Sequence, residues 1–335
     1  DKMSSIREVS RVAGVSIATV SRALSTPEKV SKKSLRKVQE AVEKVHYRPN
    51  MMARNFRAAR SHSIVVLVPN LANLHFATVI RSLEEEAHKN GYSVLLGDTG
   101  GSEERDQEYM NLVETRQADG AIQLLAHAKG APPPPDHIAI VNACGAEDTP
   151  YACVRIDNAE ASKTVVDYLI SLGHRRIGVI SGLKSNPHSI DRLKGYTQAL
   201  SNAGIPFDAN IVVEGDFTIA SGLNAANHFA AMKNRPTALF CMNDEMAIAA
   251  IQGLRNHDIK IPEEMSITGF DDIEFSRISD PPLTTVSQPA KEIGKVAMRT
   301  LLKKINGEGI AQETIVLPHE LIVRKSTALA QKQKG

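Results

Sequence analysis

The chain has 335 residues, 42% of them hydrophobic and 23% charged, a balance that suits a packed soluble protein and excludes a disordered or fibrous one. That length exceeds one ordinary domain and fits a small module beside a larger one. The formal charge of +2 conceals a division: residues 1–60 carry 14 Lys and Arg against 5 Asp and Glu, whereas the remainder carries 26 against 33. A basic block ahead of a mildly acidic body points to a polyanionic partner for the first part alone. Cys144, Cys153 and Cys241 show neither close pairing nor C-x-x-C spacing, which argues against a disulfide framework and fits a reducing cytoplasm. The opening Asp-Lys-Met-Ser-Ser has no apolar secretory core, and no run nears the length of a membrane span. The expected location is therefore cytoplasmic.

In chain order, Ser5 can cap a first helix whose apolar side is Ile6, Val9 and Ala13, and Gly14 can end it with a positive φ. Ser16 can cap a second helix reaching about Leu24, with Val20 and Leu24 inward, until Ser25-Thr26-Pro27 breaks it. Ser31 can cap a third, with Leu35, Val38, Val42 and Val45 inward. Helix, Gly-containing turn, helix and supporting helix is the helix-turn-helix plan. The second helix collects short hydroxyls and Arg22 on its outer side, with no acid. Hydroxyls near a helix N-terminus can meet phosphate oxygens, and an Arg fork can meet guanine N7 and O6. Ile17 and Ala18 are apolar where base edges should lie, which suits thymine methyls.

Val12-Ala13-Gly14-Val15-Ser16, Ala18-Thr19-Val20-Ser21-Arg22, Val30-Ser31 and Tyr47-Arg48-Pro49-Asn50 resemble the headpiece of the lactose-repressor family, and the resemblance continues through the core. It implies that Ile17, Ala18 and Arg22 face bases, that Ser16, Thr19, Ser21 and Ser31 hold phosphates, and that Lys29 touches the DNA backbone or a base edge. After Pro49, Asn50 can cap a short segment, Met51 to Arg57, too brief to be a stable isolated helix. In the family, paired hinge helices enter the minor groove and pry open a central base step. The matching wedge here is Phe56 where the family has leucine, with Arg54 and Arg57 flanking it at phosphates and Asn50 and Ala53 also assigned to DNA.

From Ser63 onward, apolar strand-like runs alternate with amphipathic stretches. The runs are 63–68, 92–96, 121–125 and 138–141, then 176–180, 238–241 and 265–270. The helical stretches are 76–90, 103–116, 189–203, 220–232 and 244–256. Such alternation predicts two doubly wound parallel-sheet lobes, whose ligands bind at the carboxyl ends of the strands in the crevice between them. Pro132 to Pro135 read as a surface spacer, and Gly91 to Gly101 lacks the Gly-Lys-Ser/Thr ending of a phosphate loop.

The core resembles the periplasmic-binding-protein fold that the family uses. The likeness implies crossings between lobes at Val154 to Asn158, Leu283 to Pro289 and Leu317 to Glu320. The expected organisation is a headpiece at 1–48, a hinge at 49–61 and a core at 62–335. Lobe one would take about 62–157 and 289–318, and lobe two about 158–288 and 319–327. The resemblance assigns ligand contacts to Asp157, Arg192, Asn243 and Asp271, and suggests His75, Phe76 and Phe217. Carboxylates and amides at loop tips accept from and donate to hydroxyls, and Arg192 adds a fork of donors. Gly215-Asp216-Phe217-Thr218 and Phe270-Asp271-Asp272-Ile273 look most like the cytidine and purine repressor branch, so the effector is expected to be a nucleoside, a purine or a sugar.

The reading is thus a ligand-responsive repressor, dimeric on a pseudo-palindromic operator in double-stranded DNA. The tail after Arg324 has no leucine heptads, which favours a dimer over a tail-dependent tetramer. No paired acid and base or metal-ligand spacing stands out, so no catalytic residue, metal or cofactor is assigned and an enzyme is not expected. A small-molecule binding or transport protein is the alternative; it explains the core and leaves the basic first sixty residues without a use.

Overall fold

The computed structural model describes residues 5–48, 60–125, 127, 132–145, 149–308 and 313–331. Backbone contacts divide the chain into two compact units, Asp1–Ser61 and His62–Gly335. In the first, α1 (Ile6–Ala13), α2 (Ile17–Ser25) and α3 (Lys32–Lys44) each begin at a serine whose hydroxyl accepts a backbone N–H of the first turn. Gly14, at φ 62°, ends α1 in the left-handed region and aims the chain into α2. Val9, Ala13, Val20, Ala23, Val38 and Ala41 form the buried centre, with Leu35, Val42 and Val45 packed around it. The small Ala residues let three short helices approach closely enough to share one core.

The second unit holds two six-stranded sheets. Its strands are β1 (Ser63–Val68), β2 (Ser93–Asp98), β3 (Gly120–Gln123), β4 (Ile140–Ala143), β5 (Cys153–Arg155), β6 (Ile177–Ser181), β7 (Val212–Glu214), β8 (Ala238–Cys241), β9 (Ser266–Asp271), β10 (Thr284–Ser287), β11 (Thr314–Val316) and β12 (Glu320–Ile322). Its helices are α4 (Leu74–Lys89), α5 (Glu103–Glu114), α6 (Asn158–Ser171), α7 (Pro187–Asn202), α8 (Ile219–Ala231), α9 (Asp244–Arg255) and α10 (Ala290–Ile305).

The first sheet runs β11-β5-β4-β3-β1-β2, and the second β12-β10-β9-β8-β6-β7. Every pairing is parallel except β10 with β12. The central strands are apolar on both faces because helices cover both, as parallel sheets require. In each sheet the chain reverses its direction of progress beside the first strand, between β1 and β3 and between β6 and β8. These are the switch points where loops part and leave a crevice at the strands' carboxyl ends.

The two doubly wound lobes expected from alternation are present. Two segments expected to serve wholly as crossings begin as strands, β5 and β10, and the third crossing joins β11 to β12. Helix α6 was not expected, although Asp157 and Glu160 form the spacing of an N-terminal cap; the Asp157 Oδ1 accepts the Glu160 N–H at 2.9 Å. Gly195 lets α7 lie against α6, for a Cβ there would run into the Ala159 carbonyl. Helix propensity alone favours Ala over Gly by about 1 kcal/mol. Gly195→Ala should nevertheless lower stability by about 1–3 kcal/mol in urea unfolding, because backbone cannot yield as a side chain can. A rise in the midpoint would show that propensity outweighs this contact.

Candidate functional site

A cavity of about 370 Å³ opens between the two lobes. Its walls come from the switch points: Pro69 and Asn70 after β1, Leu124 and Leu125 after β3, Leu183 after β6 and Asn243 after β8. Of the expected ligand residues, His75, Phe76, Arg192, Phe217, Asn243 and Asp271 all line it. Asp157 does not. It is exposed and caps α6, while its neighbour Asn158 is buried and lines the cavity. Sequence reasoning missed Asn158, His188, Asn186 and Gln288, all at element ends where no periodicity marks them; the helix caps at Asp157 and Asn186 were the available signals.

Arg192 forms the floor. Its Nε donates to Asn158 Oδ1 at 2.9 Å, Nη1 donates to the Met242 carbonyl, and the guanidinium carbon lies 3.8 Å from the centroid of the Phe270 ring. Nη2 stands 3.9 Å from Asp271 Oδ1, an ion pair too long for a hydrogen bond. Burial lowers the basicity of Arg192 and the Asp271 charge opposes that effect. Asp271 Oδ1 accepts the Gln288 Nε2–H at 2.7 Å, and its backbone sits at φ 116°. Asn243 donates to the Phe217 carbonyl at 2.9 Å, and Phe217 itself has a positive φ of 67°. Gly182 makes room for that ring, since any Cβ there would overlap it.

Two imidazoles line the cavity, one from each lobe. His75, from the first lobe, is lowered by burial, opposed by Asp271 and reinforced by Arg192, and its Nε2 lies 3.7 Å from the Cys144 sulfur. His188, from the second, is pulled down to about 3, first by burial, then by Arg192 and His75, against a hydrogen bond to the Cys144 carbonyl. Asp244, fully buried at the start of α9, is raised well above the usual carboxylate range by burial and by Asp271. Between pH 6.5 and about 3 an unfolded chain binds a proton that His188 refuses when folded, so stability falls as pH falls. Asp244 acts in the opposite sense, which makes the difference between wild type and His188→Gln the informative quantity. Their stability difference should change by about 1–2 kcal/mol between pH 7 and pH 5 in urea titrations, wild type losing more. Parallel curves would mean that His188 titrates normally.

In the first unit, Ile17, Ala18 and Arg22 are exposed on one face of α2, with Thr19 and Ser21 half-buried beside them. Ser16 Oγ accepts the Thr19 N–H at 3.1 Å and pairs with Thr19 Oγ1 at 2.9 Å, so the two hydroxyls are tied together at the helix start. Arg22 Nε donates to the Ala18 carbonyl at 3.4 Å. Lys29 is exposed in the turn before α3, and Ser31 caps that helix. Asn50, Ala53, Arg54, Phe56 and Arg57 lie outside the described residues. Among the described residues no helix is long and apolar enough to cross a membrane.

Comparison with known proteins agrees with this division. The family described as "Bacterial regulatory proteins, lacI family" matches residues 5–50, and "Periplasmic binding protein-like domain" matches residues 166–327. The HTH-type transcriptional repressor CytR of Escherichia coli (strain K12) is 37% identical over 331 residues, covering 96% of each chain. The HTH-type transcriptional repressor PurR of Photobacterium profundum is 32% identical over 336 residues, covering 97% of this chain and 98% of the relative. Among solved structures, the lac repressor dimer bound to operator and the anti-inducer ONPF superposes with a TM-score of 0.87 at 25% identity, covering 98% of this chain and 100% of that one. Identity of this extent over both units places the chain in the lacI family of bacterial regulatory proteins, as a ligand-responsive, DNA-binding transcriptional regulator.

Proposed function

We propose that α2 reads operator bases through Ile17, Ala18 and Arg22 while Ser16, Thr19, Ser21, Lys29 and Ser31 hold the backbone, and that the crevice takes a nucleoside, purine or sugar as effector. The hinge residues Asn50, Ala53, Arg54, Phe56 and Arg57 complete the DNA contact in this reading. The chain acts as a homodimeric repressor on a pseudo-palindrome in the cytoplasm, and its core is a binder rather than a catalyst.

The observation that carries the effector is the half-used polar floor of the cavity. Among the described residues, Arg192 spends only Nε and Nη1 on hydrogen bonds to protein, and Asp271 accepts through one oxygen only. The remaining guanidinium donors and carboxylate oxygen suit a ligand with adjacent hydroxyls or a carbonyl. Phe76 and Phe217, one from each lobe, supply apolar faces for a ring. The volume is near the lower end of the roughly 300–1,000 Å³ common for small-molecule sites, which fits a nucleoside or small sugar. A structural relative, the regulator CelR, is a cellobiose complex. For the dimer, the edge strand β2 leaves Leu95 and Leu96 44% and 41% exposed, and Ile278 is 74% exposed, apolar surface that a second copy would cover.

Selection from genomic fragments should enrich one pseudo-palindrome at moderate salt, and indifference to sequence would reject the DNA reading. Arg22→Ala should cost about 1–3 kcal/mol of specific affinity and relax a single base position. An equal loss on every sequence would restrict Arg22 to phosphate. Thermal unfolding screened against cytidine, adenosine, hypoxanthine and common sugars should show one class stabilising the protein by about 2.7 kcal/mol at 100 times its Kd. Asp271→Ala should abolish that shift while leaving DNA binding intact without effector. An undiminished shift would remove Asp271 from the site.

A further inference from the structure

Glu245 lies in the first turn of α9 in the second lobe, yet its Oε1 accepts the backbone N–H of Leu74 at 3.1 Å. Leu74 is the first residue of α4, in the first lobe. Within that helix, Asn73 Oδ1 already accepts the N–H groups of His75 and Phe76, at 3.0 and 3.3 Å. The first-turn amides of a helix lack internal partners, and the positive end of its dipole favours a carboxylate. One of these amides is therefore satisfied by the opposing lobe, immediately before His75 and Phe76 of the cavity wall.

Contacts that are lost when the lobes part favour the closed crevice by the full free energy they carry. The Glu245 carboxyl is raised above its ordinary value, chiefly by burial, while the Leu74 N–H draws it back down. That balance fits a group that gives up water to make one cross-lobe bond.

We infer that Glu245 is a latch, a positioning residue whose carboxyl oxygen caps α4 from across the crevice and sets how far the lobes stand open before effector arrives. Its consequence for effector entry rests on the proposed effector site, but the latch itself operates without any ligand. Opening removes the acceptor from Leu74, so the exchange of that amide with solvent reports the latch directly.

Hydrogen–deuterium exchange on the full-length, ligand-free chain, read at single-residue level, tests this. Glu245→Ala should speed exchange at Leu74 by about fivefold or more, the scale of one lost hydrogen bond to a charged group. Amides in the interior of α9, such as that of Ala249, should keep their rates. Glu245→Gln retains the oxygen and should restore most of the protection. Unchanged exchange at Leu74 in the Ala variant, acceleration shared with the interior of α9, or a Gln variant that behaves as Ala would each overturn the latch. No effector enters the experiment, so its failure leaves the effector site standing, and a failed effector screen leaves the latch standing.

Discussion

A guanidinium buried where two lobes meet is the constraint around which the second unit is built. Withdrawing such a charge from water costs several kcal/mol, and one carboxylate at 3.9 Å does not offset that alone. Arg192 is held instead by an amide oxygen from the start of α6, a carbonyl from the end of β8 and the face of Phe270 near the end of β9. Each partner comes from a different element. Satisfying the charge therefore requires the second sheet and its helices to be in register, and the cavity floor is a by-product of that requirement. Asp271 and Asp272 carry the associated strain, with φ of 116° and 56°. Backbone of this kind costs about 1–3 kcal/mol and persists only where neighbours hold it. Gln288 grips Asp271, while Arg324 and Arg277 grip Asp272 at 2.6 and 3.6 Å.

Much of this was legible from residues alone, for identifiable reasons. Serine caps, Gly14 and the 3.6-residue spacing of Val38 and Val42 act within one turn of helix, so the headpiece could be read locally. Apolar runs such as Ser63–Val68 and Ala238–Cys241 are buried on both faces, which leaves a continuous signal. The three-residue strands β5, β7, β11 and β12 gave none, since pairing rather than composition makes them strands. Arg192 and Asp271 could be proposed from resemblance. Asn158, His188 and Gln288 become visible only when three distant segments converge, and Asp157 illustrates the ambiguity: an acid before a helix can serve a ligand or its own amides, and geometry gives it to the amides.

Buried charge elsewhere in the second lobe follows the same economy. Asp244 accepts from Thr285 Oγ1 at 2.5 Å and from the Ile273 N–H at 2.9 Å, pinning the loop after β9 to β10. Gly269 has to be glycine for that carboxyl to come so close. Burial and the nearby Asp271 raise Asp244 above the usual carboxylate range, while the hydrogen bonds from Thr285 and Ile273 draw it back down.

The doubly wound topology also bears on the ligand proposed for the crevice. Strand carboxyl ends are followed by helix amino ends, so α4, α6, α7 and α9 all start at the cavity. Asn73, Asn186 and Asn243 line it as the caps of three of them, each giving its side-chain oxygen to a first-turn amide. Four helix dipoles add positive potential beside Arg192. A purely anionic ligand would find that potential opposed by Asp271 on the floor. A cation would meet Arg192. A neutral molecule bearing several acceptors and a few hydroxyls uses both signs at once and leaves neither charge uncompensated, the chemistry shared by nucleosides and sugars.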